Sequence, residues 1–387
     1  MSGDWLGLRR PLVEKGYTLD ISSTNFHSVI TSGGFDETSR YRGRIDMLLS
    51  IDGKRAGLWD GLTINLHGES IFGSSINRFS RTLLPVSVAQ ILPDGNRSVT
   101  ALTNVTFTQA LSESVLVQVG KINTLDGFIQ PFTGGANGLD GFQNLAMGFN
   151  PVLVKAFPYS TFGAGMVVLD ENQEALFSAY VYDANNTPTV SGFDSFFDDG
   201  VAVFASGTLP TNFLDKPGHQ MVYGLYSNGT YSNLDPNPYF DPSQSVVLAT
   251  PDKNGSWLLA YAFDQTCYVS SDDPTRSWGV FGNIGIADDN PNPFNWAANI
   301  GVGGSNPLGN RPQDTIGVGY FYAGVSKPLK QLAPILVPLQ DEKGVELFYN
   351  VAVSPKFHVT ADVQIVDSAL KRSDTLVIFG LRGKIDL

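Results

Sequence analysis

Residues 373–387 read SDTLVIFGLRGKIDL. Taken every second position from Val377, one set is Val377, Phe379, Leu381, Gly383, Ile385 and Leu387. The other is Ile378, Gly380, Arg382, Lys384 and Asp386. A strand sends successive side chains to opposite faces, so one face is apolar and the other largely polar and charged. A soluble sandwich would turn the apolar face inward to a core, whereas a transmembrane barrel would turn it outward to lipid and line its lumen with charge. This strand alone leaves both readings open.

The same alternation recurs along the chain. In RYRGRIDMLLSID, residues 40–52, Arg40, Arg42, Arg44, Asp46, Ser50 and Asp52 share one parity, with Leu48 the apolar exception. Tyr41, Ile45, Met47, Leu49 and Ile51 share the other with Gly43. Arginines at successive same-face positions need water or counter-ions, while the opposite face wants hydrocarbon. GLTINLHGESIF sets Leu62, Ile64 and Leu66 against Thr63, Asn65, His67 and Glu69. SVLVQVGKIN puts Val115, Val117 and Val119 on one face. FHVTADVQIVD sets Phe357, Val359, Ala361, Val363 and Ile365 against His358, Thr360, Asp362 and Gln364.

Sixteen such runs are predicted, near residues 18–26, 40–52, 62–72, 104–111, 115–123, 161–169, 174–183, 201–207, 219–228, 256–269, 276–287, 295–303, 314–326, 342–354, 357–366 and 374–387. Most are long enough to cross a hydrocarbon layer as a tilted strand of ~9–11 residues. Connections after odd-numbered runs are mostly long (73–103, 124–160, 184–200, 229–255, 327–341), and those after even-numbered runs are mostly short. Long loops on one rim and short turns on the other belong to an outer-membrane barrel, and a sandwich has no reason to alternate this way. The apolar faces are smooth, with Gly, Ala and Val at many sites. Trp257, Trp278, Trp296, Tyr320, Tyr322 and Tyr349 near the run ends suit interfacial girdles. The expected fold is therefore all-β: a transmembrane antiparallel barrel of about sixteen strands over 18–387. Residues 1–17 are expected to form a separate N-terminal periplasmic segment. GDWLGLRRPLVEKGY predicts a short helix there that stops at Gly16.

Composition agrees. The 387 residues include 41 Gly, 25 Phe and 14 Tyr, with 16% charged residues. A net charge of −12, with no basic run beyond two residues, argues against a nucleic-acid partner. The single cysteine, Cys267, excludes an intrachain disulfide and any multi-cysteine metal site. His27, His67, His219 and His358 lack metal-ligand spacing, and no metal or cofactor is expected. No apolar stretch reaches 18 residues, so a helical span is excluded. Met1-Ser2-Gly3 reads as the start of a mature or recombinant chain. The pairs Asp198-Asp199, Asp272-Asp273 and Asp288-Asp289 read as solvated loop carboxylates ahead of calcium ligands. Asp46 and Glu69 can be drawn as a glycosidase pair, but no nucleophile or phosphate-binding motif stands in context, and no enzyme is expected.

Several motifs, in order, resemble the carbohydrate-selective porins of Gram-negative outer membranes (the OprB-like family). They are GDWLGLR and EKGY, YRGRIDMLLSID, LWDGLTINLHG, VGKIN, GFQN, NIGVGGSNPLGNRPQDTIGVGYFY and IFGLRGKIDL. The final Leu387 departs from the aromatic ending usual in the family, and neither the DNPNPFNW loop nor the proline-rich PLKQLAPILVPLQ has a counterpart there that we can align. The resemblance implies a sixteen-stranded porin admitting mono- and oligosaccharides passively to the periplasm, with inward-folded loops narrowing a charged pore. It further implies outer-membrane lipid and lipopolysaccharide around the barrel, a terminal strand read by the barrel-assembly machinery, and a monomer, with a trimer as the alternative.

A neutral, hydroxyl-rich solute needs hydrogen-bonding groups and flat aromatic faces, each contact weak enough to release it. The expected channel-lining residues are Arg42, Arg44, Asp46, Asn65, His67, Glu69 and Lys121. The expected constriction loops are 73–103, with Arg78, Arg81 and Arg97, and 124–160, with Phe128, Phe132, Phe142 and Lys155. Two alternatives stay open: a general or anion-preferring porin, suggested by Arg40, Arg42 and Arg44, and a soluble β-rich glycan-binding protein or glycosidase.

Overall fold

The computed structural model describes residues 5–128, 130–235, 237–241, 245–249, 252–307, 311–332 and 337–387. A 3-10 turn and helix α1 (Arg9–Glu14) lead into β1 (Tyr17–Ser32). Next come β2 (Thr38–Asp52), β3 (Leu62–Gly73), β4 (Val99–Ala110), β5 (Val115–Asn123) and β6 (Ser160–Leu169). These are followed by β7 (Ala175–Asp183), β8 (Val201–Phe213) and β9 (Lys216–Ser232). A two-stranded hairpin, β10 (Asn237–Asp241) with β11 (Ser245–Ala249), stands apart from the barrel. The wall resumes with β12 (Asp252–Val269), β13 (Ser277–Ala287), β14 (Phe294–Ser305) and β15 (Thr315–Val325). It ends with β16 (Glu342–Ser354), β17 (Phe357–Asp367) and β18 (Leu376–Asp386).

All sixteen predicted runs are strands of one closed antiparallel barrel, sealed where β1 pairs β18 from Ser22↔Asp386 to Val29↔Phe379. Closure leaves the barrel wall itself without an open edge, as hydrocarbon demands of backbone polar groups. The spans between strands on one rim are short in sequence, none longer than 53–61 or 306–314, and those on the opposite rim include 74–98, 124–159, 184–200 and 326–341.

Burial answers the question posed by the terminal strand. Phe379, Leu381 and Ile385 are 48%, 52% and 41% exposed, while Arg382 is 1% exposed. The same inversion holds on β2, with Tyr41 outside and Arg42, Arg44 and Asp46 buried. Apolar outside and polar inside is the reverse of a soluble protein, and the outer surface suits lipid. Trp257, Trp296 and Tyr320 are exposed on that surface, and Trp296 stacks on Tyr322 at 4.8 Å.

A second apolar core lies inside the barrel. Segments 74–98 and 124–159 fold into the lumen and bury Ile76, Leu84, Val86, Phe142, Met147, Val152 and Leu153 against Tyr223, Phe281, Phe321 and Phe348 of the wall. This core explains Ile378, an apolar residue on the lumen face of β18, 2% exposed. It also gives a use to the glycines of β14 and β15. A Cβ at Gly303 would strike the Phe132 carbonyl, and one at Gly319 would strike the Met147 side chain. The loop lies against bare backbone at both places.

Candidate functional site

The alternation of β2 and β3 places Arg44, Asp46, His67 and Glu69 together on the lumen face, with Asp46 paired across the ladder to Glu69. The Arg44 guanidinium donates to both Asp46 oxygens, at 2.9 and 2.7 Å, and also pairs with Glu69. His67 stands between two carboxylates, with Nε2 3.0 Å from Asp46 and Nδ1 2.9 Å from Asp126. The Tyr159 hydroxyl donates to Glu69 at 2.6 Å. Burial, then the Glu69 charge, pushes that hydroxyl far above its usual range, so it stays a donor. Ligating atoms of Asp46, His67 and Glu69 lie within 4.8 Å of one another, a spacing a metal ion accepts. Arg44 already supplies the positive charge to both carboxylates, which also fills the gap that a glycosidase pair would leave open.

These charges hold the inward segments. Arg44 Nη1 donates to the Leu92 carbonyl at 3.1 Å, and Arg42 donates to the Gly73 and Asp94 carbonyls at 2.9 and 2.6 Å. Across the lumen, Glu342 accepts from the Leu83 and Leu84 amides, both at 2.9 Å. Glu346 accepts from the Gln143 and Asn144 amides, at 2.5 and 3.0 Å. Arg382 donates to the Gly138 and Gly141 carbonyls, at 2.8 and 3.0 Å. Asn299 Nδ2 reaches the Ala146 carbonyl at 2.6 Å. Opposite walls of the barrel are thus tied to the same two segments.

Beneath them a polar cavity of about 380 Å³ runs toward the short-turn rim, lined by Asp46, His67, Asp126, Asp140 and Lys384 among others. Lys384 pairs with Asp140 at 2.5 Å. Of the expected lining residues, Asp46 and His67 border this cavity, Asn65 is half-buried on the lumen face, and Arg42, Arg44 and Glu69 are sealed, at 1%, 2% and 0% exposure. Of the three arginines that suggested anion attraction, Arg42 and Arg44 therefore do not face open water, whereas Arg40 is half-buried.

Lys121 is a correction. It shares parity with Val115, Val117 and Val119, and Val119 is 52% exposed on the outer surface. The side chain points outward under segment 184–200, where Nζ donates to the Thr187 and Val190 carbonyls at 2.7 and 2.5 Å. A lone cation facing lipid needs such a cover.

The loop residues divide. Phe142 is 1% exposed, edge-on to Phe281 and Phe348 at 5.6 and 4.8 Å. Phe128 packs on Phe149, Phe157 and Tyr223, and Phe132 lies against Gly279 and Gly303. These phenylalanines fasten segment 124–159 to the wall. Arg78 is exposed, and the half-buried Arg81 sits 5.2 Å from the Phe35 ring. Lys155 lies 5.5 Å from the Tyr231 ring, and burial lowers its pKa. Asp126, Asp140 and Tyr159 were not foreseen. Each comes from a loop, where no periodicity marks a side chain's direction.

A family model described as "Carbohydrate-selective porin, OprB family" matches residues 36–387. Porin B of Pseudomonas aeruginosa is 23% identical, the alignment covering 99% of this chain and 90% of that protein. The structure described as "High pH structure of Pseudomonas putida OprB" superposes with a TM-score of 0.84 at 19% identity, covering 100% of this chain and 98% of that one. The low-pH structure of the same Pseudomonas putida protein gives 0.62 at 14% identity, with the same coverage.

Proposed function

The chain belongs to the carbohydrate-selective porin family, OprB, and from that membership we propose that its lumen passes neutral sugars across the outer membrane by passive diffusion. The observation that carries this reading is the polar cavity of about 380 Å³ left beneath the two inward segments. Its carboxylates, amides and ammonium groups offer a sugar hydroxyl replacements for the water it sheds. Because Asp46, His67, Asp126, Asp140 and Lys384 are already engaged within the protein, a passing sugar gains only a weak contact from them and leaves again.

In this reading the short-turn rim faces the periplasm, with residues 1–17 beside it as a separate segment. The apolar belt takes outer-membrane lipid and lipopolysaccharide, and β18 is the strand read by the assembly machinery. A single barrel suffices as the working unit, since its pore is enclosed by one chain. The protein acts as a channel without chemical turnover.

The test is liposome swelling with purified protein. Glucose and a disaccharide should enter faster than amino acids of equal size. Equal rates would reduce the protein to a general diffusion pore, and absence of swelling would refute the channel.

A further inference from the structure

Helix α1 and the 3-10 turn before it, Trp5–Gly7, are not part of the barrel wall. They also lie outside residues 36–387, the part matched to the family. Yet they reach the lumen. Val13 borders a polar cavity of about 280 Å³ whose other walls are Gly16, Thr18, Ser50, Asp52, Arg55 and Thr63. Thr18, Ser50 and Thr63 share parity with the lumen-facing Ser22, Asp46 and His67 of their strands. One turn earlier on the helix, Arg9 borders the larger cavity together with Asp126, Asp140 and Lys384.

Arg9 is held there. Its Nη2 donates to Asp20 Oδ1 at 2.8 Å, with side-chain exposures of 27% for Arg9 and 59% for Asp20. The Trp5 ring lies 5.4 Å from the guanidinium carbon, on the same short segment. Much of the charged lining of this cavity is arranged in pairs, with Lys356 and Asp386 bordering it outside them. Lys384 meets Asp140, and His67 meets Asp126 and Asp46. Arg9 and Asp20 make a third pair, in which the cation comes from α1 and the carboxylate from the wall. Without Arg9, Asp20 would stand unpaired and mostly exposed in the path between the inward segments and the short-turn mouth.

We propose that α1 carries a specificity-determining residue of this pore. Arg9 neutralises Asp20 at the short-turn mouth and thereby sets how the channel ranks neutral against anionic sugars. A carboxylate left open in a narrow, partly desolvated passage raises local cation concentration and repels anions, because field lines are focused between low-dielectric walls. The guanidinium cancels that field at its source. A porin with Arg9 in place therefore admits uronates alongside neutral sugars, and one without it discriminates against them.

This inference rests on the sugar-channel reading, and the experiment separates the two. Reversal potential under a potassium chloride gradient is measured in planar bilayers for the wild type, Arg9→Ala, Arg9→Lys and Asp20→Asn. The same proteins in liposomes give the ratio of glucuronate to glucose entry. Arg9→Ala should raise the potassium-over-chloride permeability ratio by about twofold or more and lower the glucuronate-to-glucose ratio by a similar factor. Arg9→Lys should restore both, since it returns the charge without the guanidinium shape, and Asp20→Asn should shift both the opposite way. A conducting Arg9→Ala channel with wild-type reversal potential would overturn the proposal, as would a shift that Arg9→Lys does not reverse. A wild type that conducts ions but admits glucose no faster than a size-matched amino acid defeats the sugar reading by itself, and the ionic shift then still decides the role of Arg9.

Discussion

At the scale of single residues, the centre of the structure is a buried ionic network rather than a wetted charge ladder. Arg44, Asp46 and Glu69 are each 2% exposed or less, and Arg44 satisfies two carboxylates at once. Breaking a buried pair by removing one partner leaves an uncompensated charge and costs about 3–5 kcal/mol. Arg44→Met should lower the unfolding free energy by that order, read from urea titration in detergent or lipid vesicles. Tyr159→Phe removes one hydroxyl, which donates to Glu69 and accepts from Asn123, and should cost about 1–3 kcal/mol. In the double mutant the two losses should couple by more than about 0.5 kcal/mol, as for residues sharing one partner. A loss below about 1 kcal/mol for Arg44→Met would mean that the network does not anchor the inward segments. The four strand members of this network were legible in the sequence because period-two spacing assigns a face to each. Their partners Asp126 and Tyr159 stand 59 and 90 residues away from His67 and Glu69, and nothing local in the chain announces that meeting.

At the scale of elements, alternation read the strands well and the loops poorly, for one physical reason. A strand's side-chain directions are fixed by backbone geometry, whereas a loop's path is fixed by what it packs against. Hence β5 and β18 lie close to their expected bounds, while β10 and β11 fall inside a stretch read as plain connection. Smoothness is read on the apolar strand faces, whereas Gly303 of β14 and Gly319 of β15 lie on the lumen parity, and their role as the bed of segment 124–159 depends on that segment's route. Lys121 shows the error that arises when charge outvotes parity. The valines two and four positions before it point to lipid, and the lysine goes with them, covered by the carbonyls of Thr187 and Val190. Its placement makes a sharp contrast with Arg9. Lys121→Met should leave the reversal potential of the channel unchanged within a few millivolts, although it removes a full charge, because that charge lies outside the pore and its field is taken up by segment 184–200. A shift as large as that of Arg9→Ala would return Lys121 to the lumen.

At the scale of the whole molecule, two apolar surfaces coexist, one facing out around the barrel and one facing in against the inward segments, with the polar side chains between them. This arrangement makes the cost of a surface substitution depend on the solvent rather than on exposure. Leu381 sits midway along β18 and is 52% exposed, so in a soluble protein Leu381→Arg would change stability by no more than about 0.5 kcal/mol. If its surroundings are hydrocarbon, the same change should cost ~2–4 kcal/mol near the bilayer midplane. Ile385, four residues on and near the strand end, should tolerate arginine at about 0–1 kcal/mol, since interfacial water reaches that depth. Chemical unfolding of both variants in lipid vesicles gives the two costs directly. A steep penalty at Leu381 falling away at Ile385 measures the position of the bilayer on the barrel. Equal, small penalties at both sites would mean that water, not lipid, lies against the outer face, and the channel reading would fall with it.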